Sequence, residues 1–424
     1  MTRHGTSFRL AAGLLLLLVL LAGCGRTDQT QAAQDEVLGV SDSEILLGSS
    51  LALKGHASYL GTQTLSGAMC YINKVNEAGG VHGRTIRVIA YDDGYDPPMC
   101  LSNTQRLIVE DAVFALFCYV GTPTAVKILP MVEEAKIPLL GLFTGANALR
   151  EPFNRYIFNV RASYYQEIGA AIRHMVKDLG LSRIAVFYQY DAYGFDGLTG
   201  VELALKELGL APVARGSYIR GTVNVEEGLN RIAGSGAQAV AMIGTYEPCA
   251  KFINLANQRD FKPLFYAVSF VGAEELARRL DSQDRDLLIL SQVVPPLQVL
   301  QPDAMTSSAR EYVDLLRHYF PEEKPNLVGL EGFINARVLV EGLHRAGRQL
   351  TRERFIEAIE SIQGYSLGQD IMVSFSPTNH QGMEQVFFTG LEDGEFVLIR
   401  DWDDIRKAIA SRRETKSPAE KAKP

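Results

Sequence analysis

From Ile45 onward the chain alternates short β-rich apolar runs with longer amphipathic ones, and this alternation constrains its fold more than any other feature. Residues 44–51, 85–91, 113–120, 138–143 and 156–160 read as strands, and 62–77, 98–110 and 124–135 between them read as helices. Strands that alternate with helices in this way form a parallel sheet covered on both faces. A second series follows, with strands at 183–189, 212–218, 238–243, 263–268 and 287–293 and helices at 165–179, 197–208, 225–233 and 248–259. Two similar α/β halves are implied. Residues 327–346 and 351–362 then read as amphipathic helices, and 384–389 with 395–399 as a hairpin about Asp393-Gly394. After Arg412 the chain is charged, Pro-containing and poor in apolar residues, so 413–424 reads as a disordered tail.

The N-terminus carries an address. Arg3, His4 and Arg9 precede an apolar run from Leu10 to Ala22, 13 residues against the roughly 20 that span a bilayer. Basic residues, a short apolar core and small residues after it mark a secretory signal. Its end, Leu21-Ala22-Gly23-Cys24, is similar to the lipobox of bacterial lipoproteins, in which the cysteine is acylated and becomes the new N-terminus. On that reading residues 1–23 are removed, 24–36 form a flexible linker, and the mature chain is extracytoplasmic and tethered to a membrane at Cys24. An ordinary signal peptide with a chance cysteine is the alternative.

Once the signal is removed, the chain is still too long for one ordinary core and comfortable for two. Hydrophobic residues at 47% and charged residues at 21% describe a folded globular protein, and a net charge of -7 without a basic cluster before the tail excludes nucleic acid as a partner. Of the four further cysteines, Cys70, Cys100, Cys118 and Cys249, none stands in a C-x-x-C pair, so thiolate metal ligation has no support. In an oxidising compartment Cys100 with Cys118 is the first disulfide to consider, one opening a predicted helix and the other on the next strand. Buried free thiols are the other reading.

In open parallel sheets ligands bind at the carboxyl ends of the strands. After the third strand stands Gly121-Thr122-Pro123-Thr124, with Thr122 placed as an N-cap and Pro123 at the first helical position. Such an end offers a hydroxyl, free N–H groups and about 0.3 to 1 kcal/mol of dipole attraction to an anion. Thr122 could equally serve only its own helix. Phe143-Thr144-Gly145 follows the fourth strand, and Tyr193 and Tyr246 follow strands of the second half as ligand contacts or packing rims. Enzyme signatures are missing: there is no H-E-x-x-H, G-x-S-x-G or Walker-type loop, and Gly194, Gly197 and Gly200 have the wrong spacing for a dinucleotide fingerprint. The histidines are scattered singly, and Asp92 and Asp93 read as loop caps. No catalytic activity, metal or cofactor is expected.

Asn73-Lys74-Val75-Asn76-Glu77-Ala78-Gly79-Gly80-Val81-His82-Gly83-Arg84 and Tyr91-Asp92-Asp93-Gly94-Tyr95-Asp96-Pro97 give the chain a family likeness. With Glu133-Glu134-Ala135-Lys136-Ile137-Pro138, Tyr193-Gly194 and Gly244-Thr245-Tyr246, the sequence resembles the type I periplasmic solute-binding proteins of ABC transporters, in particular the leucine/isoleucine/valine-binding group, from Ile45 to Ile399. The resemblance implies two Rossmann-like lobes joined by a three-segment hinge, with 37–158 and 294–376 in lobe I and 159–293 and 377–412 in lobe II. It also implies a small-molecule ligand and partnership with ABC permease and ATPase subunits. Thr122 would hold the ligand's carboxylate beside Gly121; Phe143, Thr144 and Gly145 match the second loop for carboxylate and amino group. Tyr193 and Tyr246 match aromatic contacts from the second lobe, and Leu60, or Tyr59 beside it, a contact after the first strand. The chain departs from the pattern at Val268-Ser269-Phe270, where amino-acid binders commonly place an acid for the ligand's ammonium.

A buried ammonium without a counter-charge costs several kcal/mol, so the missing acid disfavours α-amino acids unless Asp191 or Glu247 substitutes. Phe143, Tyr193, Tyr246 and Phe270 would instead line the site for an apolar or aromatic carboxylate. Both ligand classes stay open. Two rival functions do as well: a sensory or regulatory lipoprotein of the same fold, and a hydrolase on a doubly wound scaffold, for which no nucleophile is nominated.

Overall fold

The computed structural model describes residues 37–281, 287–297, 305–368, 371–392 and 395–420. The signal segment, the linker with Cys24 and the Asp393-Gly394 turn lie outside the described residues. Two sheets organise the rest. The first holds β1 (Glu44–Leu51), β2 (Thr85–Asp92), β3 (Ala115–Phe117), β4 (Leu139–Leu140) and β5 (Ile157–Phe158) in the order β2-β1-β3-β4-β5, every neighbouring pair parallel. The second holds β6 (Ile184–Gln189), β7 (Arg215–Tyr218), β8 (Ala239–Ile243), β9 (Leu264–Ala267) and β10 (Leu288–Gln292). After a separate antiparallel pair, β11 (Tyr365–Gly368) and β12 (Ile371–Val373), the hairpin β13 (Phe387–Glu392) and β14 (Glu395–Leu398) completes it in the order β14-β13-β10-β9-β8-β6-β7. Only the hairpin runs antiparallel to its neighbours there. The central strands are near-continuous apolar runs because helices cover both faces.

Helices α1 (Ser58–Glu77), α2 (Pro97–Val109) and α3 (Thr122–Ala135) link strands of the first sheet. Those of the second are served by α4 (Tyr164–Arg173), α5 (Ala192–Glu207), α6 (Glu226–Ala233), α7 (Tyr246–Gln258) and α8 (Ala273–Arg279). The chain then returns to the first lobe as α9 (Ser307–Tyr319), α10 (Leu327–Ala346) and α11 (Arg352–Glu360), which pack on α1 and on one another. It passes between the lobes three times: after β5, after β10 and after β12. In each sheet the strand order reverses once, between β1 and β3 and between β6 and β8, so the loops after these strands diverge and leave a crevice.

Strand and helix positions follow the sequence pattern with shorter strands, since Cys118, at φ 54, turns the chain out of β3. Helices α8 and α9 and the β11–β12 pair add to the expected elements. Instead of a disordered tail from 413, a final helix α12 (Trp402–Glu420) continues to 420, through the helix formers Arg413, Glu414, Lys416, Ala419 and Glu420 and in spite of Thr415, Ser417 and Pro418. Its first residue, Trp402, stacks on His174 at 4.2 Å. The Cys100–Cys118 disulfide does not form, and all four cysteines of the described chain are buried free thiols. The two sulfurs have different surroundings: Cys118 lies beside Asn335 of α10, whereas Cys100, in the first turn of α2, faces Ser50 and Asp93.

Lobe I closes around a helix crossing without side chains at its centre. A Cβ on Gly67 of α1 would stand 1.8 Å from the Gly329 carbonyl oxygen of α10, and one on Gly332 would stand 2.1 Å from the Thr64 carbonyl oxygen. Gly67→Ala should therefore force the helices apart and cost about 2 kcal/mol or more. Urea unfolding midpoints measure this, and an unchanged midpoint would contradict the close approach.

Candidate functional site

The first jaw is built from the ends of β3 and β4. Gly121, at φ 98, is the N-cap of α3, and the ring of Tyr95 packs so closely on it that a Cβ there would meet Tyr95 Cε2 at 2.1 Å. Thr122 is thus the first helical residue rather than the N-cap expected of it, and Pro123 the second. Its hydroxyl makes no capping bond; it pairs with the Thr144 hydroxyl at 2.7 Å, both buried. Tyr164 opens α4 behind a capping box of Ser163 and Gln166, and its N–H donates to the Gly145 carbonyl at 2.7 Å. The Tyr164 hydroxyl is buried beside Thr144 and the Gly145 N–H without a well-directed partner. Thr122, Thr144, Tyr164 and the amides of this turn converge at a helix N-terminus, an arrangement suited to an anion.

The facing wall is aromatic. Phe270 lies with its ring centre 4.7 Å from Tyr193, 5.6 Å from Phe143 and 6.0 Å from Tyr95. Tyr193 starts α5, whose N-cap Asp191 accepts from the N–H groups of Tyr193 and Gly194. The Tyr95 hydroxyl accepts from Gln189 Nε2 at 3.3 Å, and Tyr218 donates to Gln189 Oε1 at 2.9 Å, so one lobe's tyrosine joins the other's polar network. Asp191 also accepts from Gln189 Nε2 at 2.7 Å and lies 3.5 Å from Arg220. It is already committed.

Ser269 sits behind this wall. Glu167 accepts from its N–H at 2.9 Å and from its hydroxyl at 3.0 Å, and Arg161 reaches the same hydroxyl. Arg161 also pairs with Glu167 at 2.9 Å and Glu331 at 3.2 Å. Burial works against the Arg161 charge, but the two carboxylates more than offset it and hold the guanidinium protonated. Burial pushes the Glu331 carboxyl up to about 7 against the pull of Arg161.

Tyr59, Leu60 and Tyr246 form a separate contact at the edge of the cleft. Tyr246 does not join Phe143, Tyr193 and Phe270; its ring meets Tyr59 edge-on at 6.0 Å and Arg279 at 5.1 Å, because α7 begins beside α1 rather than over the Thr122 turn. Leu60 is buried against Gly272, where a Cβ would meet its Cδ2 at 2.9 Å. Two carboxylates of the second lobe seat on helix starts of the first: Glu274 accepts from the Leu327 N–H at 2.9 Å and the Tyr59 hydroxyl at 3.4 Å, and Asp196 from the Asn147 N–H at 3.0 Å. Burial raises both carboxyls, Asp196 to about 6. Among the described residues no cluster of His, Cys, Asp or Glu could hold a metal ion, and no helix is long and apolar enough to cross a membrane.

A family model described as periplasmic binding protein matches residues 44–395. The chain belongs to the periplasmic binding protein family. This binding protein is 33% identical to a possible leucine/isoleucine/valine-binding protein from Rhodopirellula baltica, with a TM-score of 0.80 over 85% of this chain and 97% of that one. A substrate-binding periplasmic protein from Ralstonia solanacearum is 28% identical, with a TM-score of 0.78 over 84% and 100%. The Leu/Ile/Val-binding protein homolog 7 of Brucella abortus is 23% identical over 377 residues, 85% of this chain and 92% of that protein. Solute binding is the property of this fold, and the family places its members outside the cytoplasm.

Of the residues singled out in the sequence, Thr122, Thr144, Gly145, Phe143, Tyr193 and Phe270 come together. Tyr95, Tyr164, Gln189 and Arg161 were not nominated. Tyr164 had a local signal in the Ser163-x-x-Gln166 capping box, and Tyr95 stood inside a quoted motif; for Gln189 and Arg161 the sequence carried none.

Asp196 gives the binding protein a pH dependence of definite sign. A carboxyl raised from 3.8 to about 6 in the folded protein contributes stability that is complete below about pH 4 and lost as pH rises through 6. Asp196→Asn should flatten that decline by roughly 2 kcal/mol after solvent screening. The residual slope belongs to the other carboxyls that burial raises, Asp93 to about 6, Glu331 to about 7, and Glu274. Urea titrations at pH 4, 5, 6 and 7 check this; an unaltered slope would assign the titration elsewhere.

Proposed function

We infer that this protein captures a small carboxylate-bearing solute between two hinged lobes and delivers it to an ABC importer. The observation that carries the reading is the meeting of Thr122 and Thr144 beside the start of α3 with Tyr164, Phe270 and Tyr193 from the other lobe. The carboxylate sits on the hydroxyls and amides of the first jaw, and the apolar part lies against the aromatic wall. Contacts from both jaws favour the closed form, which the permease recognises; ligand shifts that equilibrium only by its preference for closed over open. A lipid on Cys24 keeps the protein at the membrane beside its permease and ATPase subunits.

The ligand that fits best is an aromatic or branched carboxylate without an ammonium group. Phe270 occupies the wall where an acid would be needed, Ser269 is bound to Glu167, and Asp191 is bound to Gln189, Arg220 and its own helix. The names of the relatives favour a second reading, leucine, isoleucine or valine. Thermal-shift and calorimetric titration with phenylacetate, 4-methylpentanoate and leucine separates the two. The carboxylates should stabilise more than leucine, and the reverse ranking would overturn the first reading.

With the best ligand of that panel, Thr122→Ala should weaken binding by about 1 to 3 kcal/mol, the range for a hydrogen bond to a charged group, while leaving the unfolding midpoint in place. Unchanged affinity in calorimetry would remove Thr122 from the site. Cys24→Ser should move the protein from the membrane to the soluble fraction on cell fractionation, and persistent membrane association would refute the lipid anchor.

A further inference from the structure

A second cavity lies away from the cleft, where the first and third passages between the lobes run side by side. Asn159 of the first passage donates its N–H to the His380 carbonyl of the third at 2.8 Å, and its own carbonyl accepts from the Gly382 N–H at 2.7 Å. Beside this ladder opens a cavity of about 250 Å3, walled by both passages and by the loop from Asn147 to Ile157. At about 30 Å3 per water it has room for roughly eight. None of the residues assigned to the carboxylate cleft lines it.

Its walls are polar in a particular way. Asn159 is 1% exposed and spends its side-chain amide on the Leu149 carbonyl, leaving its Oδ1 buried and without a partner. A buried acceptor of this kind calls for a donor. Arg150 contributes a guanidinium held only by neutral acceptors: Gln381 Oε1 at 2.8 Å and the carbonyls of Ala146 at 2.8 Å and Arg161 at 3.0 Å. Burial and the neighbouring Arg161 lower it to about 9. With three bonds engaged, two of the five guanidinium N–H groups remain to donate. The carboxylates of Glu151 and Glu384 stand at the exposed rim, so one cation faces two anions and the site does not select for negative charge. Phe153, 45% exposed, presents its ring at the mouth, edge to face with His380 at 4.8 Å.

We propose that this cavity is a second solute site, taking a neutral, hydroxyl-rich molecule of monosaccharide size. Hydroxyls both donate and accept, which matches one wall seeking a donor and another offering N–H groups. The apolar face of a sugar ring suits the Phe153 ring. An occupant would touch both passages and the Asn147 loop, which Asp196 of the other lobe holds by its N–H, so it would brace the connection on which the lobes move.

The test is calorimetric titration of the purified protein with D-glucose, D-ribose and glycerol, with succinate as the anionic arm. Binding of at least one polyol is expected, weakened tenfold or more by Phe153→Ala and by Asn159→Leu. Phe153→Ala removes a rim ring and keeps the test valid if Asn159→Leu fails to fold. Absence of polyol binding at millimolar concentration overturns the proposal. So does polyol binding that Phe153→Ala leaves unchanged, or binding of succinate alone. The polyols carry no carboxylate and Phe153 lies outside the carboxylate cleft, so polyol binding and its loss in Phe153→Ala are independent of the ligand reading above.

Discussion

A guanidinium buried where three parts of the chain meet ties the two lobes to one another. Arg161, 1% exposed, lies in the first passage between the lobes and pairs with Glu167 of α4 and Glu331 of α10, one helix from each lobe. Taking three charges out of water is costly, and only their mutual attraction and further hydrogen bonds offset it. Those bonds reach the Ser269 loop through Glu167 and continue from Glu167 to the Ser291 hydroxyl of β10 at 2.6 Å. Removing any one partner would leave a buried charge uncompensated, which typically costs about 3–5 kcal/mol. The geometry of the aromatic wall follows from this network, because Phe270 is carried on the turn that Glu167 holds.

The same network explains why the cleft differs from one built for an ammonium. The acids nearest the wall are spent on Arg161, and the acid nearest Tyr193 caps α5. What remains at the surface of the jaws is one cluster of hydroxyl and amide donors and a set of aromatic rings. The division of labour is physical. The donors gain from a helix N-terminus that no side chain caps, and the rings gain from area removed from water.

Much of the fold was legible in the sequence. The strand at 44–51 and the helix at 327–346 coincide with β1 and α10, since a continuous apolar run and a 20-residue amphipathic face leave little choice. Helix α9 also had its signal, with Ala309, Tyr312, Val313 and Leu316 at helical spacing. The tail reads as disordered while the structure has helix to Glu420, because charge and low hydropathy mark both solvent-exposed helix and disorder. The site was legible in part. Thr122 and Thr144, nominated from the rule that strand ends hold ligands, and Phe270, nominated from the family resemblance, come together; Tyr246 lies apart beside Tyr59, because the rule does not say which way a helix start faces.

By itself the sequence determined the two-lobed α/β architecture, through the period of its apolar residues, and the loops from which a site could be made. Only the tertiary structure decided which residues share that site. Arg161 and Glu331 are 170 positions apart, as are Tyr95 and Gln189 by 94, and nothing local records that they meet. The four cysteines make the same point in reverse: their spacing allowed a bridge between Cys100 and Cys118, and the folded chain leaves both as free thiols among different neighbours. Periodicity is a property of neighbours along the chain, whereas pairing of charges and rings is settled by where the folded backbone brings them in three dimensions.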